Sequence, residues 1–364
     1  MFLGFFIINL HKMKNIISFI SWIIFIFIFS FFYAEEYFLF HQENKQNLEN
    51  IEYLEEQKNN FTLEDIQNIE NIEIFQMPDK KLLEQIVQEI DTAENKIYLE
   101  SYILTETRIQ EALKRAKKRW LEIKILLEKN PYKAYNINNK AQKNLEKWWI
   151  NVQWSDSDDF SLNHSKFIII DDFAYISTGN FSYSTFTTNR DYYVKIINEE
   201  ILTKLNQVFL ADYVWEKQDF HHSNLVLSPY NSRDTFEKII TWANESLDIY
   251  AQYFSDEKIE NLLIQTAKKW VKIRVIMRKN SDKNDPIIET MKQAGIEIYV
   301  LSSPAMHSKM FLVDNTYLFL WSVNLSSYSL DKNRELGILL KNTDLIKKMS
   351  EYFQKDILKI IGKK

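Results

Sequence analysis

Two stretches decide the reading: His164-Ser165-Lys166-Phe167-Ile168-Ile169-Ile170-Asp171 and His307-Ser308-Lys309-Met310-Phe311-Leu312-Val313-Asp314. Each reads His-Ser-Lys, four apolar residues, then Asp. Each is followed by an Asn (Asn180, Asn324) and then by an Asn-Arg-acid triplet, Asn189-Arg190-Asp191 and Asn333-Arg334-Glu335. In a strand, residues i and i+2 share a face. His164 therefore points with Lys166 and His307 with Lys309, while the apolar runs anchor each strand in a core. One such motif is weak; two copies inside a wider repeat are hard to credit to coincidence. A doubled set of His, Lys and Asn is what two-step displacement at a phosphodiester needs. One His attacks phosphorus, the other protonates the leaving oxygen, and the Lys and Asn pairs hold the charged oxygens.

Working outward, the repeat continues on the N-terminal side of each motif. KIYLESYIL (96–104) aligns with LDIYAQYFS (247–255), AKKRWLEIKILLEKN (116–130) with AKKWVKIRVIMRKN (267–280), and NLEKWWINVQW (144–154) with TMKQAGIEIYV (290–300). The patterns predict strands at 97–104 and 247–250, helices near 108–119 and 257–269, and strands at 123–127 and 272–277. Helices at 138–148 and 285–294 follow, then strands at 166–170 and 309–313. Short apolar strands alternating with helices imply an α/β fold, two related α-β-α halves with mixed sheets. The halves meet near 216–231, where Pro229 and polar residues break the pattern. The expected division is 75–220 and 221–364.

The chain has 364 residues, no Cys and a net charge of −5. Disulfides and thiolate metal sites are excluded. Residues 35–74 carry 11 acidic residues against Lys45 and Lys58, and read as a solvated acidic stalk. Residues 1–34 add Lys12 and Lys14, so 75–364 stands near +2 by subtraction (−5 + 9 − 2). That part has no strong basic footprint for nucleic acid. Residues 15–34 carry no charge and are long enough to span a bilayer. Lysines before them and Glu35-Glu36 after them predict an anchor with the remainder outside the cytoplasm. Cleavage after Ala34 is the alternative, giving a secreted protein, and Met13 offers a second possible start.

The paired motifs resemble the phospholipase D superfamily, whose mark is a doubled H-x-K-x4-D followed by a G-S-x-N-like stretch. The resemblance covers about residues 75–364. It implies one pseudo-twofold domain with both His-Lys pairs meeting at the junction. By this resemblance His164 is the nucleophile, forming a phosphohistidine, and His307 the general acid and later base. Lys166, Lys309, Asn180 and Asn324 hold the non-bridging oxygens. Thr178 and Ser322 match the family's hydroxyl position. Asp191 and Glu335 match the acid that orients the histidine of the opposite half. Asp171 and Asp314 are expected to brace the local fold. With a Lys on each side, no metal or other cofactor is required. One chain completes one site, so a monomer suffices.

The copies depart from that pattern in two ways. The first is one residue shorter between Asp171 and Asn180 than the second between Asp314 and Asn324, which predicts a tighter turn. The second reads Trp321-Ser322-Val323-Asn324, with Trp where the family has Gly. The whole chain has only five Gly but nine Trp. Trp149 aligns with Gly295, and Trp120 and Trp270 fall at helix-to-strand turns, where a left-handed Gly is usual. Trp321 falls where the backbone is expected to approach phosphate. These positions raise the possibility that some tryptophans are UGA codons read as glycine in the organism; genuine tryptophans filling apolar gaps are the alternative.

Other features read as structural. Asp156, Asp158 and Asp159 form a solvated turn without calcium-loop spacing. His221-His222 is expected at the surface. Lys114, Arg115, Lys117, Lys118 and Arg119 form a basic helical face. The reaction is better defined than the substrate. A phospholipid is expected, favoured by the membrane segment and the neutral charge. The alternatives are a membrane-tethered endonuclease acting on nucleic acid, phosphatidyl transfer of the cardiolipin synthase type, and a non-catalytic binding module.

Overall fold

A strand whose side chains are buried on both faces must lie inside a sheet with both faces covered. Lys166–Ile170 is such a strand, with all five residues buried. The computed structural model describes residues 62–156, 158–217, 220, 222–278 and 286–362. The expected membrane segment at 15–34, most of the acidic stretch at 35–74, and His221 lie outside the described residues. Among the described residues, no helix is long and apolar enough to cross a membrane.

The strands of the first half are β1 (Ile72–Gln76), β2 (Lys96–Ser101), β3 (Glu122–Glu128), β4 (Asn151–Ser155), β5 (Lys166–Ile170), β6 (Phe173–Ser177), a short β7 (Asn189–Arg190) and β8 (Tyr192–Ile196). Those of the second are β9 (Leu225–Ser228), β10 (Ser246–Ala251), β11 (Phe254–Ser255), β12 (Lys272–Arg278), β13 (Glu297–Leu301), β14 (Ala305–Met306), β15 (Met310–Val313), β16 (Tyr317–Trp321), β17 (Leu325–Ser326) and β18 (Glu335–Leu340). Two seven-stranded sheets result, ordered β1-β8-β6-β5-β2-β3-β4 and β9-β18-β16-β15-β10-β12-β13. Strand for strand they are the same sheet. In each, three strands run parallel, β2-β3-β4 and β10-β12-β13, and the rest pair antiparallel.

Register corrects the sequence alignment at one point. Lys96 pairs Glu122 as Ser246 pairs Lys272, and Glu100 faces Phe167 as Tyr250 faces Met310. Lys96 is therefore equivalent to Ser246, one residue from the alignment of 96–104 with 247–255. The counterpart of Tyr102 is Gln252, not Tyr253. An alternating apolar strand tolerates a one-residue slip in letters, but its pairing does not.

The stalk also ends earlier than its composition implies. Ile66 and Ile69 are buried, and β1 pairs β8 from Ile72 onward, so residues from Leu63 belong to the folded unit. Helices Glu199–Val214 and Thr343–Ile361 place Leu205, Val208, Phe209, Met349 and Phe353 in a core shared with apolar residues of both sheets. A second core, built on Ile86, Leu113, Ile125 and Ile168, fills the first half. His222 is buried, its Nδ1 accepting from the amides of Asn224 and Leu225, which corrects the surface expectation. Of the basic face, Lys114 is buried beside Glu111, Arg115 pairs Asp91, and Lys118 lies over the Trp148 ring. Asp159 pairs Lys217.

Candidate active site

The two motif strands, β5 and β15, follow short links that dock each half onto the other. β14 pairs β7 in parallel, and Asn163 bridges Arg334. The amide of His164 donates to Arg334 O at 2.7 Å, and that of His307 to Arg190 O at 3.2 Å. Each histidine is thereby fixed to the Asn-Arg-acid triplet of the opposite half.

The side chains repeat the exchange. His164 Nδ1 is 2.7 Å from Glu335 Oε2, and His307 Nδ1 is 2.8 Å from Asp191 Oδ1. A carboxylate only accepts, so Nδ1 donates and the Nε2 lone pair of the neutral ring is left free. Lys166 Nζ donates to His164 O, and Lys309 Nζ to His307 O at 2.7 Å. The sets converge on one cluster: each imidazole feels the ammonium of both lysines, its own and the other half's.

Burial drives the electrostatics. Desolvation lowers His164 to about 4, aided by Lys166 and resisted by Glu335. His307 is lowered for the same reason. Desolvation also lowers Lys166, and brings Lys309 down to about 8. Burial pushes the Asp191 carboxyl up, but His307 and Lys309 outweigh it and leave it below the ordinary range. Glu335 behaves likewise against His164 and Lys166. The resting site thus holds ionised carboxylates and neutral imidazoles beside two lysines, a set able to receive an anion.

The remaining sequence-named residues fall into place around it. Asn180 and Asn324 are buried, and each keeps a side-chain oxygen without a partner. Thr178 Oγ1 donates to Asp191 Oδ1 at 2.8 Å, and Ser322 Oγ accepts from Leu336 N at 3.0 Å. Both hydroxyls support the acid-bearing strand. Asp171 accepts from the amides of Glu94, Asn95 and Lys96, and Asp314 from those of Asn244, Glu245 and Ser246. They staple β5 and β15 to the start of β2 and β10. The residue missing from the first copy falls in the β5–β6 hairpin, Asp171-Asp172 against Asp314-Asn315-Thr316. The Trp321 side chain is buried against Phe236, Phe311 and Phe319 in the core.

Sequence reasoning missed three groups. Arg190 donates to Met77 O and Asp356, and Arg334 to Ser228 O and Asp212, so each arginine reaches a helix of the other half. Their place inside the triplets was the available signal. Tyr102 presents its ring edge to His164 at 4.5 Å between centroids and lies 5.3 Å from Lys166 Nζ. Glu100, under β5, accepts from Asn163 Nδ2 at 2.9 Å. A charged residue inside an apolar strand was the signal there.

Fold and site together define a duplicated α/β enzyme with paired histidines and lysines at its pseudo-twofold junction. A family profile described as "Cardiolipin synthase, PLD-like domain" matches residues 86–215 and again 236–357. The chain belongs to the phospholipase D superfamily. Over 336 residues it is 23% identical to a cardiolipin synthase of Clostridium perfringens (strain SM101 / Type A), covering 76% of this chain and 68% of that one. Over 145 residues it is 29% identical to the virion nicking-joining enzyme of Vaccinia virus (strain Western Reserve), covering 35% of this chain. The chain spans 33% of that viral enzyme's length. Phosphatidylserine synthase of Haemophilus influenzae Rd KW20 shares the fold, with a TM-score of 0.64 at 14% identity, over 85% of this chain and 90% of that one.

Proposed function

We propose that this protein hydrolyses phospholipid phosphodiesters through a phosphohistidine on His164, releasing phosphatidate and a head-group alcohol. The observation that carries the reading is the crossed pair of carboxylate–imidazole hydrogen bonds, Glu335 to His164 and Asp191 to His307. Each bond aims one Nε2, and the two lysines supply the positive charge between the halves. His164 Nε2 attacks phosphorus while His307 passes a proton to the leaving alcohol; His307 then takes a proton from water as the P–N bond breaks. The bound diester anion raises His307 toward protonation, offsetting its desolvation. Lys166, Lys309, Asn180 and Asn324 hold the non-bridging oxygens.

The lipid substrate is supported by similarity to a cardiolipin synthase along most of the chain and by the neutral balance of 75–364. The uncharged stretch at 15–34, read as a membrane anchor with the catalytic part outside the cytoplasm, would keep the site near lipid. Cleavage of nucleic acid is the second reading, favoured by the similarity to the viral nicking-joining enzyme. The test offers the full chain vesicles of phosphatidylcholine or phosphatidylglycerol, single-stranded DNA and RNA, with and without EDTA and with added glycerol. The expected outcome is phosphatidate release that EDTA leaves unchanged. Glycerol exchange without hydrolysis would make it a transferase, and cleavage of DNA or RNA alone would replace the lipid reading.

A further inference from the structure

We infer that the residues at positions 120, 149, 270 and 321 are glycines in the protein as its organism makes it, each encoded by UGA and written as Trp by conceptual translation. The backbone carries the argument. Trp120, Trp149 and Trp270 have φ of 71°, 55° and 73°. That region costs a residue with a Cβ roughly 1–2 kcal/mol relative to ordinary helix. All three follow the last turn of a helix. Trp149 and Gly295 are structural equivalents, since Asn151 pairs Lys124 as Glu297 pairs Arg274. The same cap closes both helices. Trp149 N donates to Glu146 O and Ile150 N to Leu145 O; Gly295 N donates to Lys292 O and Ile296 N to Met291 O. One copy of this cap uses glycine at φ 89° and the other an indole.

Those indoles recover nothing for the strain. Trp120, Trp149 and Trp270 are 91%, 85% and 95% exposed. Trp215 is the control: it too is left-handed, at φ 61°, but it is half covered and its Nε1 donates to Trp154 O. Trp321 fails in the opposite way. It lies 3.2 Å from the Phe236 ring centroid and 3.3 Å from that of Phe319. Unstrained aromatic pairs stand about 4.5–7 Å apart. Its Nε1 is buried without a partner, and its Cβ comes 2.8 Å from where a Cβ on Gly337 would stand. Its equivalent in the first half is the small Ser177, because Leu320 pairs Met310 as Ile176 pairs Phe167. The overfilled strand leads directly into Ser322–Asn324 at the active site.

The gene and the native protein decide the matter. The expected finding is UGA at 120, 149, 270 and 321, UGG at 148, 154 and 215, and glycine in peptides of protein isolated from its own organism. UGG at the four positions, or tryptophan in those peptides, overturns the inference. Recombinant protein gives an independent reading. Trp120→Gly, Trp149→Gly and Trp270→Gly should each raise Tm by roughly 2–4 °C, whereas Trp215→Gly should lower it. Adding Trp321→Gly to the triple variant should raise kcat several-fold. A fall in Tm at all three caps would count against the inference.

A second, independent observation concerns Tyr102. We propose that it is a positioning residue for His164 and Lys166, on the reading of His164 as nucleophile. Its ring contacts both, and its hydroxyl accepts from Tyr132 N at 2.6 Å, which ties the loop after β3 to the same point. The equivalent residue in the second half is Gln252, which has no ring to set against His307. Burst kinetics on bis(p-nitrophenyl) phosphate test this, since that leaving group needs no acid. Tyr102→Leu should slow the burst about 10-fold or more with KM little changed. It should also move the acid limb of kcat/KM upward, because relief of desolvation raises His164. Tyr102→Phe should restore the rate. A burst and acid limb unmoved in Tyr102→Leu would refute the role; no turnover by the parent protein would instead refute the reading on which it rests.

Discussion

The two halves carry the same His-Ser-Lys strand on different foundations. Under β5 the support is polar: Glu100 accepts from Asn163, whose amide donates to Glu128 at 2.7 Å. The matching positions in the second half are Tyr250, Met306 and Arg278. There Tyr250 donates to Asp356 Oδ2 at 2.8 Å, and Asp356 in turn holds Arg190. What both halves keep is the crossed bond from each histidine to the other half's acid and the crossed arginine beside it. The difference teaches that the attack geometry depends on the exchange between halves, while the packing beneath each strand is free to diverge.

The sharpest way to break the symmetry is to remove one histidine at a time. His164→Ala and His307→Ala should each lower kcat on phospholipid by about 10³-fold or more. On an activated aryl diester only His307→Ala should still accumulate phosphoenzyme, detected by intact mass. Phosphoenzyme in His164→Ala instead would exchange the two roles. Next come the crossed arginines. Arg334→Met leaves Asp212 buried and unpaired, and Arg190→Met leaves Asp356 buried with only the Tyr250 hydroxyl; each should cost about 3–5 kcal/mol in urea unfolding. Equal losses would mark the exchange as symmetric, and a loss under about 1 kcal/mol at either site would show that this crossing does not hold the halves.

The pH profile separates the halves more gently. On the proposed mechanism, protonating His164 would remove the attacking lone pair, so kcat/KM should fall as pH drops through about 4. With an activated aryl diester, which needs no acid from His307, deprotonating Lys309 removes a charge from the bound anion, so kcat/KM should fall as pH rises through about 8. In Lys309→Arg, which stays charged, the alkaline limb should move upward; an unmoved limb would assign it to another group. The smallest effect belongs to Glu100. Burial, then Asp212, pushes its carboxyl well above the usual range, which favours the neutral form. Glu100→Gln should therefore change stability by no more than about 1 kcal/mol, and a larger loss would mean that it works as a carboxylate.

Much of this was legible in the letters because the motif is doubled and strand periodicity fixes which residues share a face. His164 with Lys166 and His307 with Lys309 follow from spacing alone. The strands at 122–128 and 272–278, and the helices that precede them, follow from apolar runs ended by breakers. What was not legible depends on partners distant in sequence. β1 reads as the tail of an acidic stretch until its pairing with β8 is known. Helices Glu199–Val214 and Thr343–Ile361 lie beyond the motifs that drew the alignment, and Asp212 and Asp356 gain meaning only from arginines 122 and 166 residues away. The left-handed backbone at Trp120, Trp149 and Trp270 was legible because these residues fall at helix ends. At Trp321 the obstacle lies in the core behind the strand, which no local pattern reveals.

The crossed carboxylates also tie the two repeats together as one working unit. Glu335, which orients His164, lies 171 residues from it, and Asp356, the partner of Arg190, lies 166 residues from that arginine. Neither repeat by itself holds both an imidazole and the carboxylate that fixes its ring, so a separated repeat is expected to need its complement to assemble the pair.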